Sequence, residues 1–95
     1  MNISITESAY QDLADIHEHY RLEGIEHIGK KHINEVFSKI DTLNDHPQIG
    51  RIVPEYGLIA LREIIYPPYR IVYLIKTNEI QVIRVWRSER LLKII

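Results

Sequence analysis

At Gly50 the spacing of the apolar residues changes, and this change constrains the fold more than any other feature of the chain. Before it, apolar residues recur at helical intervals. Ala9, Leu13, Ile16 and Tyr20 are separated by 4, 3 and 4 positions, and Ile33, Val36, Phe37, Ile40 and Leu43 form a second stripe. Such stripes mark amphipathic helices that bury one face. After Gly50 the alternation is close to every second residue, as in strands. The candidates span roughly residues 60–66, 69–76 and 80–87. Helices followed by a run of strands predict an α+β domain with a helical hairpin laid on an antiparallel sheet.

The boundaries are written in capping and turn residues. Ile3 and Ile5 flank Ser4 as a short first strand. Thr6 suits an N-cap, and Glu7 stands in the first turn, where the helix dipole favours an anion. Gly24 is placed to end the first helix. The second should run from about Glu26 to about Asp45, and Pro47 disfavours helical backbone at His46. "YPPY" separates the first two later strands, because Pro67 and Pro68 lack backbone donors. Thr77 and Asn78 form the next turn, with Lys76 facing Glu79. The expected order is β-α-α-β-β-β.

Turn positions imply a register. With Thr77-Asn78 as the loop, Tyr73 faces Val82, Ile71 faces Arg84 and Tyr69 faces Trp86; with Pro67-Pro68 as the other, Ile64 faces Ile71. One sheet face then carries Arg62, Ile64, Ile71, Tyr73, Val82, Arg84 and Trp86. The other carries Leu61, Glu63, Ile65, Arg70, Val72, Leu74, Ile83, Val85 and Arg87. A one-residue slip exchanges the two sets. Both faces are mixed, so the helices are expected to cover one and something else, a partner among the options, part of the other.

Ninety-five residues make a single domain, residues 1–95, which buries roughly 60–65% of its unfolded surface. There is no cysteine, which excludes disulfides and thiolate metal sites. No apolar run approaches the roughly 18 residues that span a bilayer, and the first residues lack the basic and apolar regions of a signal peptide. A cytoplasmic location is expected. The net charge of -1 conceals a division. Residues 1–47 hold 4 Lys/Arg against 9 Asp/Glu, and residues 48–95 hold 8 against 4. A basic second half suits nucleic acid or an acidic protein, and suits equally a pattern of salt bridges between helices and sheet.

The candidate residues follow from that division. Arg70, Arg84, Arg87 and Arg90 lie on and just after one hairpin. Arg70, in mid-strand, suits either a polyanion contact or a structural pair with Glu63 or Glu55. Arg87 and Arg90 are placed near a strand end. Trp86, flanked by arginines, suits a stacking platform, a binding hot spot or an ordinary core position. His17 and His19 are two apart on a helix, and His27 and His32 five apart, so neither pair has the i, i+4 spacing of helical metal ligands. No metal and no cofactor are expected. No Gly-rich phosphate loop is present.

Taken together, "ITESAYQDLADIHEHY", "HPQIGRIVPE", "LREII", "YRIVYLI" and "VIRVWRSER", in this order and over nearly the whole length, resemble the RelE/ParE superfamily of bacterial toxins. The resemblance implies the toxic half of a type II toxin-antitoxin pair, with a cognate antitoxin that folds onto it as a hetero-oligomer. Two activities occur in the superfamily. RelE-like members are ribosome-dependent mRNA endoribonucleases. ParE-like members bind DNA gyrase and trap its cleaved-DNA state, and the helical hairpin, "GRIVPE" and "RVWRSER" look more like these.

An RNase needs a base for the 2′-hydroxyl, cations for the phosphate and an acid for the leaving oxygen. Arg70 matches an arginine that ribonuclease members use, and Arg90 a second basic position. The two lysines of such enzymes are replaced by Leu61 and Glu63. Their late tyrosine has no counterpart, and the histidine of other branches is Arg87, which stays protonated. Glu55 could stand for a catalytic glutamate. The resemblance therefore implies a gyrase inhibitor and not an enzyme. Its target-binding residues are expected to be Arg84, Trp86, Arg87, Arg90, Leu91 and Lys93. If the chain cuts RNA, Arg70, Arg87, Arg90 and Glu55 are the candidates.

Overall fold

A computed structural model describes residues 2–89. The elements are β1 (Asn2–Ile5), α1 (Glu7–Leu22), α2 (Glu26–Asp41), β2 (Arg51–Ile52), β3 (Leu61–Tyr66), β4 (Tyr69–Ile75) and β5 (Glu79–Arg87). The α+β architecture is as expected. α1 and α2 lie on one face of a five-stranded sheet of order β1-β5-β4-β3-β2. The sheet is mixed: β2 to β5 are antiparallel neighbours, and β1 adds to β5 in parallel. The helical crossover between β1 and β3 is what allows that parallel pair.

Local chemistry fixes the helices. The Thr6 hydroxyl accepts from Ala9 N–H at 3.1 Å and donates to the Ile83 carbonyl at 3.0 Å, so it caps α1 and ties it to β5. Gly24 takes φ +75° in the loop between the helices. α2 ends at Asp41, four residues before the expected boundary, and continues as a short 3-10 turn over Thr42–Asn44. The Thr42 hydroxyl donates to Lys39 C=O at 2.6 Å there. The first core combines Ala9, Leu13 and Ile16 of α1 and Val36 and Ile40 of α2 with Ile71, Tyr73, Ile80, Val82 and Val85 of the sheet. Each large aliphatic side chain removed from water contributes about 1.5–3 kcal/mol.

The expected register holds near the turns and fails beyond them. Tyr73 pairs with Val82 and Ile64 with Ile71, as foreseen. Ile71, however, pairs with Val85 and Tyr69 with Arg87, because a bulge between Val72 and Tyr73 leaves Ile83 as an extra residue in β5. A bulge inserts one residue and reverses every side chain after it. Val85 thereby joins the helix-side core, and Trp86 moves to the opposite face, where it packs with Val53, Leu61 and Val72. That second core is covered in part by this chain itself, through Val53 and Tyr56 of the segment after β2. β2, two residues long, was not among the expected strands.

Candidate functional site

On the face away from the helices, four charged residues form one network. Arg70 of β4 is buried among them. Its Nη1 donates to Glu63 Oε1 at 3.0 Å and to Glu55 Oε1 at 3.1 Å, and its Nη2 to Glu55 Oε2 at 2.6 Å. Arg51 Nε donates to the other Glu63 oxygen at 2.7 Å. Arg51 faces Glu63 because β2 pairs with β3 at that position. Glu55 arrives on the segment that follows β2. Hydrogen bonding to Glu55, ahead of the contact with Glu63, holds Arg70 above the ordinary guanidinium pKa despite burial. Both structural partners considered for Arg70 are therefore engaged at once.

The distal half of β5 carries the second arrangement. Arg84 forms two parallel bonds to Asp12 of α1, Nε to Oδ2 at 2.8 Å and Nη2 to Oδ1 at 2.7 Å. Its guanidinium also lies 4.4 Å from the centre of the Trp86 ring, a cation–π contact. Val85 N–H donates to the same Asp12 Oδ2 at 2.9 Å. Arg87 is exposed and bonds Glu89 two residues on, at 2.6 Å, which raises its pKa. A recess of about 200 Å³ opens between α1 and this strand end, walled by Asp15, His19, Tyr69 and Arg87. Beside it, Tyr69 O–H reaches Tyr20 at 3.3 Å, and His32 Nδ1 lies 3.0 Å from Tyr66 O–H.

The sequence-derived candidates thus divide. Arg70 and Glu55 belong to the buried network, and Arg84, Trp86 and Arg87 to the end of β5. Arg90, Leu91 and Lys93 lie outside the described residues. Leu61 and Glu63, which the resemblance set against the lysines of ribonucleases, are both buried. Among the described residues, no three His, Cys, Asp or Glu side chains are grouped to hold a metal ion. Sequence reasoning missed Asp12. Its signal was an acid at position 12 within the buried stripe of Ala9, Leu13 and Ile16, where an unpaired carboxylate is costly and a cation must be supplied.

The family model described as "ParE toxin of type II toxin-antitoxin system, parDE" matches residues 3–92. No curated protein matches the chain. Among solved structures, one of the chromosomal ParDE TA system from P. aeruginosa aligns with a TM-score of 0.78 and 23% identity. It covers 94% of this chain and 97% of that one, a likeness of fold.

Proposed function

Because the chain belongs to the ParE toxin family of type II toxin-antitoxin systems, we propose that it arrests growth by binding DNA gyrase and is neutralised by a cognate antitoxin. In this reading it is a cytoplasmic protein ligand and not an enzyme. The observation that carries the reading is the state of Arg70. A cation that serves a scissile phosphate must be free to meet it, and Arg70 is already held by two carboxylates. A phosphate placed there meets Glu55 and Glu63 as well, and like charge repels it. Arg87 cannot supply the missing base at neutral pH.

The exposed end of β5 supports a protein-binding role. Arg87 stands at the surface, one residue beyond Trp86, whose indole is largely buried on the other face of the sheet. Arginine and tryptophan are the residues most often found at the centre of binding interfaces. The decisive experiment is a gyrase supercoiling assay with purified protein, scored for both loss of supercoiling and accumulation of cleaved DNA. Both are expected, and both should weaken with Arg87→Glu. If gyrase is unaffected and the protein instead cuts mRNA on stalled ribosomes, the endoribonuclease reading replaces this one.

A further inference from the structure

Helix α1 carries the acids Glu7, Asp12, Asp15 and Glu18. Glu7 stands in the first turn, where the helix dipole favours it. Asp12 holds Arg84 at 2.7 Å, and Glu18 holds Arg21 at 2.6 Å. Asp15 lies about one turn beyond Asp12 and so on the same side of the helix. It accepts only from the neutral Gln11 amide, at 2.8 Å. No cation lies within ion-pair distance of it among the described residues.

Asp15 is also on the wall of the recess at the end of β5. Ile16, Tyr69, Val85 and Trp86 line it too and are buried, so they form an apolar floor. Asp15, His19 and Arg87 are exposed and stand at the rim. The other charges there are already paired, Asp12 with Arg84 and Arg87 with Glu89. His19 packs its ring against Tyr20, with centroids 5.0 Å apart. Asp15 is left as the uncompensated charge of the wall. A second acceptor lies close by. Val85 N–H points out of the sheet edge to Asp12, and the C=O of the same strand residue points to the same side.

This combination selects an occupant. At about 200 Å³ the recess is smaller than the roughly 300–1,000 Å³ of cofactor and ligand pockets, and it suits a single side chain. A carboxylate or phosphate entering it meets Asp15 and is repelled. A guanidinium meets Asp15 and the Val85 carbonyl with its planar fork, and it gives up water more readily than an ammonium does. Its methylene stem suits the apolar floor. We infer that the recess receives an arginine side chain of the target protein, with Asp15 pairing the guanidinium and Ile16, Tyr69 and Trp86 covering the stem. The inference rests on the reading of the β5 end as a target-binding surface, and it names the partner chemistry that this surface takes.

The test titrates a blocked tripeptide, acetyl-glycyl-arginyl-glycine amide, into isotope-labelled protein followed by amide NMR. Saturable shifts are expected at Asp15, Val85 and Arg87, weakening as salt is added. The same peptide with citrulline in place of arginine keeps the shape and loses the charge, and it should not bind. Asp15→Asn keeps an oxygen for Gln11 and should weaken binding about fivefold or more, with an unchanged melting temperature. The inference is overturned if the citrulline peptide or a glutamate peptide binds equally well, if Asp15→Asn binds as the parent does, or if the three amides do not shift. It is also overturned if they shift with protein concentration alone, which signals a second copy in the recess. Gyrase inhibition is read separately. A protein that binds the arginine peptide and leaves gyrase untouched keeps the recess and loses the gyrase target. One that inhibits gyrase and ignores the peptide, or inhibits equally well as Asp15→Asn, loses the recess and keeps the target.

Discussion

Glu63 and Arg70 meet diagonally across β3 and β4, each two residues from the other's direct partner, 3.0 Å apart and almost wholly shielded from water. Their side chains are 0% and 4% exposed. Breaking such a pair leaves an uncompensated charge in the interior, which costs about 3–5 kcal/mol. Glu63→Ala should therefore lose stability of that order, measured by urea unfolding. Arg70→Met combined with Glu63→Leu should recover most of the loss, because Arg51 is 60% and Glu55 21% exposed, so each can turn to water. A double variant that stays folded and keeps the gyrase inhibition proposed above assigns the pair to structure.

Tyr73 and Gly50 fasten the segment before β2 to the sheet. The Tyr73 hydroxyl accepts from Gly50 N–H and donates to Pro47 C=O, each at 2.9 Å. Tyr73→Phe leaves the buried Gly50 N–H without its acceptor and the partly buried Pro47 C=O without its donor, and should cost about 1–3 kcal/mol. Gly50→Ala should cost a similar amount, since its Cβ would lie 2.7 Å from both Glu63 C=O and the Tyr73 hydroxyl. Thermal unfolding of the single and double variants should show non-additive losses, because both act on one contact.

How far the sequence could be read depends on the range of each signal. Thr6, Gly24 and the Pro67-Pro68 turn act locally, and the elements they bound lie close to where the residues place them. The β4–β5 turn likewise set the pairing of Tyr73 with Val82. The bulge at Ile83 carries no glycine and no local signature, so every face assigned after it was exchanged. β2 is too short to show a period, yet it brings Arg51 to Glu63. The arginines were visible as a charge excess, and Glu63 and Glu55, 7 and 15 residues away, could be read as partners of Arg70; Asp12, 72 residues from Arg84, could not. That pairing follows from topology and not from spacing.

Stability should fall in strongly alkaline solution. Burial, with the bond to Tyr20 next, raises the Tyr69 phenol well above its ordinary value near 10, and burial raises Tyr66 and Tyr73 in the same direction. Above pH 10 the unfolded chain releases these protons while the native protein keeps them. The unfolded state then binds fewer protons, so unfolding becomes easier as pH rises. The contribution is complete below the unfolded phenol pKa and is lost as pH climbs toward the native one. Urea midpoints should stay level from pH 7 to 9 and drop from pH 10 upward. Tyr69→Phe should flatten that drop.

Asp12 performs two tasks with one carboxylate, and they can be separated. It neutralises Arg84 by a bidentate pair and receives Val85 N–H at the free edge of β5. Asp12→Asn keeps one carbonyl oxygen for Val85 and gives up the charge. Since the Arg84 side chain is about one-third exposed, water compensates part of that loss, and a cost of about 1 kcal/mol is expected. Asp12→Ala removes both tasks, strands a buried backbone donor and should cost about 2–3 kcal/mol. It also uncovers the strand edge next to Val85, and exposed edges pair with other chains. Urea unfolding should therefore rank alanine well below asparagine. Sedimentation should show concentration-dependent association for the alanine variant alone; equal behaviour of the two would mean that Asp12 serves Arg84 and not the edge.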